Sequence, residues 1–204
     1  WSRPHLAQAV FAGRPSRRCL TPPPTRRPAC APSSRGRPGI MPDAVADAWN
    51  EGVDHLLAHP INAERLAAFR GWPVSFAQYL IDCAAVSLPL HYNERGIAFQ
   101  VVAPEGECGA MTTRPVGYHI RVKGRPGEKA SWRFLPNEKE HGQSIPALPF
   151  ILGEFDHARL LIITEGQWDA LTFALAAGWL GDGCLWPAGV GLIGIRGASG
   201  VNPF

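Results

Sequence analysis

The sequence predicts an α/β chain: a small α+β region with an antiparallel meander, then the start of a Rossmann-like parallel sheet. Three observations predict it. The run LLII at residues 160–163 is continuously apolar and is followed at once by Glu165-Gly166 and by Trp168, Leu171 and Leu175 at helical spacing. An apolar run of that length reads as a strand buried on both faces, as in parallel sheets. Upstream, three segments bounded by Gly- and Pro-containing turns read as strands, and before them three segments carry a helical repeat.

In chain order, residues 1–40 come first. They hold eight arginines, eight prolines and no Asp or Glu, a composition that offers no packed core. They are expected to be a disordered leader. A basic nucleic-acid arm, an organelle transit peptide and translated upstream sequence all fit the composition, and Met41-Pro42-Asp43 opens the first well-patterned segment.

Residues 41–90 form the helical segment. Val45, Trp49, Val53, Leu56 and Leu57 follow the helical period over 43–59. A second helix is expected from a cap at Asn62 to about Phe69, with Gly71 and Pro73 to stop it. A third is expected from Ser75 to about Val86, opened by a Ser75/Gln78 capping box. His55 and His59 lie four apart with no Glu between them, so a solvated helix face is the better reading.

Residues 91–150 form the meander. GIAFQVV (96–102), GYHIRVK (117–123) and KASWRFL (129–135) are its strands, and PEGECG and GRPGE its turns. Arg114, Arg121, Lys123, Arg125, Lys129 and Arg133 fall in this stretch against one acid, Glu128, with Tyr118, His119 and Trp132 interleaved. By the period of two, Arg121, Lys123 and Arg125 share a face, which suits phosphate contact to a single strand and equally suits a solvated sheet face.

Residues 151–204 carry the candidate chemistry. Glu165 stands at the carboxyl end of a strand and Asp169 one helical turn later, where open α/β sheets place their ligands. Either carboxylate could instead simply complement the helix dipole, worth about 0.3–1 kcal/mol. Gly178 is placed as the helix stop. Val190–Ile195 reads as a strand thinned by Gly191 and Gly194, where another backbone can approach closely. The small residues Gly197, Ala198 and Ser199 then suit either a phosphate loop or an ordinary turn. Asn202-Pro203 reads as a helix opening.

Charge and cysteines exclude some classes. The formal net charge of +3 comes from the leader; from Met41 onward there are 12 basic and 17 acidic residues, a net of −5. The five cysteines (19, 30, 83, 108 and 184) form no CxxC pair, so neither a zinc ribbon nor a disulfide framework is supported. No apolar run reaches the roughly 18 residues of a membrane span. A cytoplasmic protein with reduced thiols is expected.

The stretch ITEGQWDALTFALAAG resembles the first motif of the TOPRIM domain, the strand–Glu–Gly–helix unit of DnaG-type primases, topoisomerases and some nucleases. Its EGxxDAL form is similar to the primase branch. GLIGIRGAS resembles the second TOPRIM strand and the loop after it, and the meander resembles the one that precedes TOPRIM in bacterial, phage and plasmid primases. The likeness spans about residues 62–204, and it implies that 151–204 is the first half of a TOPRIM domain. It implies RNA primer synthesis on single-stranded DNA from ribonucleoside triphosphates, with a replicative helicase as a further partner. Mg²⁺ or Mn²⁺ would be held by Glu165, with Asp169 as a supporting acid, and the basic meander would form the template groove. The family's Asp-x-Asp has no counterpart after Glu165, where Asp182 is the last acid, so the chain is expected to be a fragment inactive alone. Two other functions remain open: a TOPRIM nuclease or topoisomerase, and a catalytically silent module that binds nucleic acid or protein.

Overall fold

The computed structural model describes residues 40–105, 112–123, 129–153 and 158–196. Three helices open the described chain: α1 (Asp43–Ala58), α2 (Ile61–Arg70) and α3 (Val74–Asp82). The helical repeat locates all three, but α2 and α3 start before the expected caps, and α3 ends at Asp82, with Val86 already in a strand. Asn62 lies inside α2, where its Nδ2 donates to the carbonyl of His55 at 3.3 Å; Pro60 occupies the cap position. Ser75 likewise lies inside α3, which starts after Pro73 with no side-chain cap, and Gln78 instead bonds Asp82. Proline fixes a helix-compatible φ, and each helix starts at the residue after it with no side-chain cap. Gly71 ends α2 at φ 69°, as its position suggested.

The meander follows. β1 (Val86–Ser87), β4 (Ala98–Glu105), β5 (Thr112–Val122) and β6 (Ser131–Leu135) form one antiparallel sheet in the order β1-β4-β5-β6. A small ribbon, β2 (Leu90–His91) with β3 (Glu94–Arg95), projects between β1 and β4 in the chain. One face of the sheet, with Ala98, Tyr118, Ile120 and Leu135, packs on Val45, Trp49 and Val53 of α1. Gly52 of α1 has no room for a side chain, because a Cβ there would run into Ser87, Leu88 and Pro89. The helix therefore lies directly on the first strand, and Ser87 Oγ donates to the Trp49 carbonyl at 2.7 Å.

A short helix, α4 (Glu138–His141), leads into the last unit, β7 (Phe150–Gly153), β8 (Leu160–Thr164), α5 (Gln167–Ala176) and β9 (Val190–Gly194). β8 and β9 are parallel and joined through α5, whereas β7 runs antiparallel to β9. The architecture shown is mixed α/β. Among the described residues this unit has one parallel pair and an antiparallel flank.

The expectation that residues 160–163 are buried on both faces fails. The strand order is β7-β9-β8, so β8 is an edge strand, and Leu160, Leu161 and Ile163 are 52%, 44% and 60% exposed. The buried central strand is β9, whose Leu192 is fully enclosed. The reading of Gly194 holds: a Cβ there would come within 2.8 Å of the Gly166 backbone.

A single buried cluster joins the parts. Leu66, Trp72, Phe76 and Leu80 from the helices meet Phe99 of β4, Phe150 and Leu152 of β7, Trp168 and Leu171 of α5, and Leu192 of β9. Phe99 is at its centre, with its ring 4.7 Å from that of Trp168 and 5.9 Å from that of Phe150. Among the described residues no helix is long and apolar enough to cross a membrane.

Candidate functional site

The turn after β8 is built by backbone and one hydroxyl. Thr164 Oγ1 lies 3.1 Å from the Gly166 carbonyl and 3.2 Å from that of Ile193, and Ile195 N–H donates to the Thr164 carbonyl at 2.9 Å. Gly166 is extended, and its carbonyl accepts the first helical bond, from Ala170 N–H at 3.0 Å. No side chain caps α5, so its first-turn N–H groups and the positive end of its dipole face outward from the turn.

That turn borders a cleft of about 370 Å³ lined by Glu165, Gly166, Gln167, Trp168, Asp169, Arg70, His119, Trp132 and Arg196. Four segments far apart in sequence meet in it: the end of α2, the meander, the start of α5 with the turn before it, and Arg196 just past β9. Its volume lies in the range of small-molecule sites. Glu165 and Asp169 are both exposed on its wall, so the structure brings the two predicted carboxylates to one cleft.

The cations there are ones the sequence reading had not selected. Arg196 is buried, its Nη2 donating to the Gln100 carbonyl at 2.7 Å and its guanidinium 5.7 Å from the Phe150 ring. Burial pulls its pKa down to about 9, which leaves it charged at neutral pH. Arg70 lays its guanidinium over Trp168, 4.7 Å from the ring centre. Among the described residues, the buried atoms Arg70 Nε, Trp168 Nε1, Arg196 Nε and Arg196 Nη1 have no hydrogen-bond partner. Such groups are uncommon, and each costs about 1–3 kcal/mol.

His119 forms the other wall. Its ring stacks between Trp132 (4.6 Å) and Phe134 (4.2 Å), and its Nδ1 lies 3.5 Å from Gln167 Nε2. Burial first, and the Arg196 charge second, push its pKa down to about 3, so the imidazole is neutral at physiological pH.

The predicted basic groove is placed differently. Arg121 and Lys123 lie on the His119 face of β5, but Arg133 opposes Ile120, on the face that α1 covers. Arg114 opposes Ala103 and is half-buried, whereas Lys129 is exposed. None of these five lines the cleft. Arg125 and the predicted phosphate loop Gly197, Ala198 and Ser199 lie outside the described residues, as does Asn202-Pro203.

Among the described residues no group of three His, Cys, Asp or Glu side chains is placed to hold a metal ion. Two carboxylates do fit magnesium when a substrate phosphate completes its shell, because the ion keeps several waters and takes only one or two protein ligands. The donor set in the cleft is of that kind, with Glu165 and Asp169 beside the two arginines. No family model matches the chain, and neither a curated protein nor a solved structure matches it.

The signals for Arg70 and Arg196 were faint. Arg70 ends a helix that also carries Arg65, Arg196 follows an apolar strand, and nothing in the sequence pairs them. His119 was visible only as part of an alternating strand.

Proposed function

We propose that this cleft is the phosphate-handling centre of a TOPRIM-type, primase-like nucleotidyltransferase that makes RNA primers on single-stranded DNA. The observation that supports it is the meeting of Glu165 and Asp169 with Arg70 and Arg196 in one cleft at the N-terminus of a helix. Carboxylates alone would suit a bare cation and arginines alone a bare anion; the pair of pairs suits a phosphate that arrives with its metal. In the proposed reaction a 3′ hydroxyl bonds to the α-phosphorus of a nucleoside triphosphate, loses its proton, and pyrophosphate leaves. Bound Mg²⁺ or Mn²⁺ would supply charge neutralisation for that displacement. Glu165 holds the metal, Asp169 supports it, and the arginines orient the phosphates. The neutral His119, wedged between rings, keeps the wall beside Gln167 rigid. Arg121 and Lys123, on the His119 face of β5, contact the template backbone, and a replicative helicase is the proposed protein partner.

Primer synthesis from labelled ribonucleotides on single-stranded DNA, by the protein expressed from its whole reading frame, tests this. Glu165→Gln should abolish the product; undiminished product sinks the reading. A second reading, a silent binding module, is favoured by the buried Arg196 and the half-buried Arg70 that line the cleft. It predicts salt-sensitive DNA binding that Glu165→Gln leaves unchanged and no primer under any condition.

A further inference from the structure

The open edge of β8 carries none of the devices that keep edge strands apart. Residues 160–164 hold no charge and no proline, and among the described residues no strand pairs with that edge. Leu160 N–H donates to the Gly189 carbonyl and the Thr164 carbonyl accepts from Ile195, so the even-numbered residues turn their backbone groups to β9. By alternation Leu161 and Ile163 turn theirs to the open side. Their side chains share the outer face of the sheet, where Ile163 stands level with Ile193 and Ile193 with Ile151. Just beyond the ends of the strand stand two exposed charges, Arg159 before it and Glu165 after it.

We infer that two copies of this chain join edge to edge through β8, antiparallel about a two-fold axis at Ile162. Outward backbone groups must meet outward groups, so Leu161 and Ile163 have to oppose odd-numbered residues of the second copy. An axis at Ile162 sets Leu161 against the partner's Ile163 and Ile163 against the partner's Leu161, four apolar side chains on one face. It also sets Arg159 against the partner's Glu165 and Glu165 against the partner's Arg159. An axis at Leu161 would put Arg159 against the partner's Ile163. One at Ile163 would put Glu165 against the partner's Leu161. Only the central register matches apolar to apolar and charge to charge. A strand with a cation at one end, an anion at the other and an apolar centre is complementary to its own reverse. An unrelated strand has no reason to match both ends, so the occupant is a second copy, related by a closed two-fold. Arg159 is exposed and lies along Gly189, from which its long side chain can swing outward.

Two three-stranded sheets thereby become one of six strands, and the partner's Arg159 enters the rim of the cleft that Glu165 lines. The strand is short, so the buried area falls below that of a standard interface and the dimer is weak. The dilute chain keeps the edge in water. The pairing rests on the edge alone and holds whichever reading of the cleft is right.

The test is sedimentation equilibrium of the 204-residue chain across the micromolar range. The wild type should pass from the 22.1 kDa of one chain to twice that mass and no further. Arg159→Glu and Glu165→Arg each set like charges together at both ends, and each should weaken self-association by about tenfold or more. Mixed in equal amounts, the two variants should dimerise again, because every end then joins opposite charges. Leu161→Lys places an edge lysine at an exposed position, and should abolish the dimer while keeping the native circular dichroism. Should either charge reversal fail to fold, Leu161→Lys decides. A wild type that is monomeric at every concentration, or whose mass grows beyond two chains, overturns the inference. So do folded single variants that self-associate as the wild type does, or a mixture of folded reversals that stays monomeric. Primer synthesis by a chain that never dimerises would sink the pairing and leave the transfer reading standing.

Discussion

The meander and the β7-β9-β8 unit are both small sheets, yet they are finished in different ways. The meander is covered on both faces, by α1 through Val45, Trp49 and Val53 and, on the other side, by Trp168 and Phe150 closing over Phe99. The three-stranded unit is covered where β9 lies, but β8 leaves Leu160, Leu161 and Ile163 in water. By sequence alone the order would be reversed, since LLII is more apolar than any strand of the meander. The difference teaches that an apolar run reports a strand's capacity for burial, while its neighbours in the sheet decide whether it is buried. β4 has partners on both sides and a layer above and below, whereas β8 has one partner among the described residues.

That contrast can be broken at its strongest point. Phe99 is fully buried between Trp168, Phe150 and Trp132, so Phe99→Ala should cost about 3–5 kcal/mol in denaturant unfolding. A loss below about 1 kcal/mol would mean that the two sheets do not share the core described.

Acid should act on the same seam. The pKa of His119 lies near 3 folded, against 6.5 for the free side chain. Between those values the unfolded chain binds the extra proton, so stability is full above about pH 6.5 and falls as the pH drops toward 3, with a slope of up to about 1.4 kcal/mol per unit. The measurement is the pH dependence of stability in wild type and in His119→Phe; equal slopes would show that His119 is not held neutral.

Two smaller effects sharpen the comparison from the open side. Glu51 accepts from Arg95 at 2.6 Å across a largely solvated pair, and Arg95 also donates to the Leu88 carbonyl. Glu51→Gln should therefore cost no more than about 1 kcal/mol, less in high salt. Smallest of all, Ile163→Thr on the exposed edge should move stability by about 0.5 kcal/mol or less. If it costs as much as Phe99→Ala, β8 is buried in solution.

Much of the element order was legible. The helical repeat located α1 to α3, the alternating segments located β4 to β6, and the run before Glu165-Gly166 located β8 and α5. Local chemistry carried these, since periodicity and glycine placement act within a few residues. The caps at Asn62 and Ser75 failed because the helices open two residues earlier, at Pro60 and Pro73. Of the site, Glu165 and Asp169 were legible because both belong to one turn.

What the sequence by itself determined is the set of elements and the two carboxylates, each specified by residues that are neighbours along the chain. The tertiary structure alone decided that β8 is an edge, that Arg133 and Arg121 part to opposite faces, and that Arg70 and Arg196, 126 positions apart in the numbering, line one cleft with His119. The physical reason is distance in sequence: a side chain's charge and burial depend on what packs beside it, and no local pattern encodes a neighbour brought in from another element.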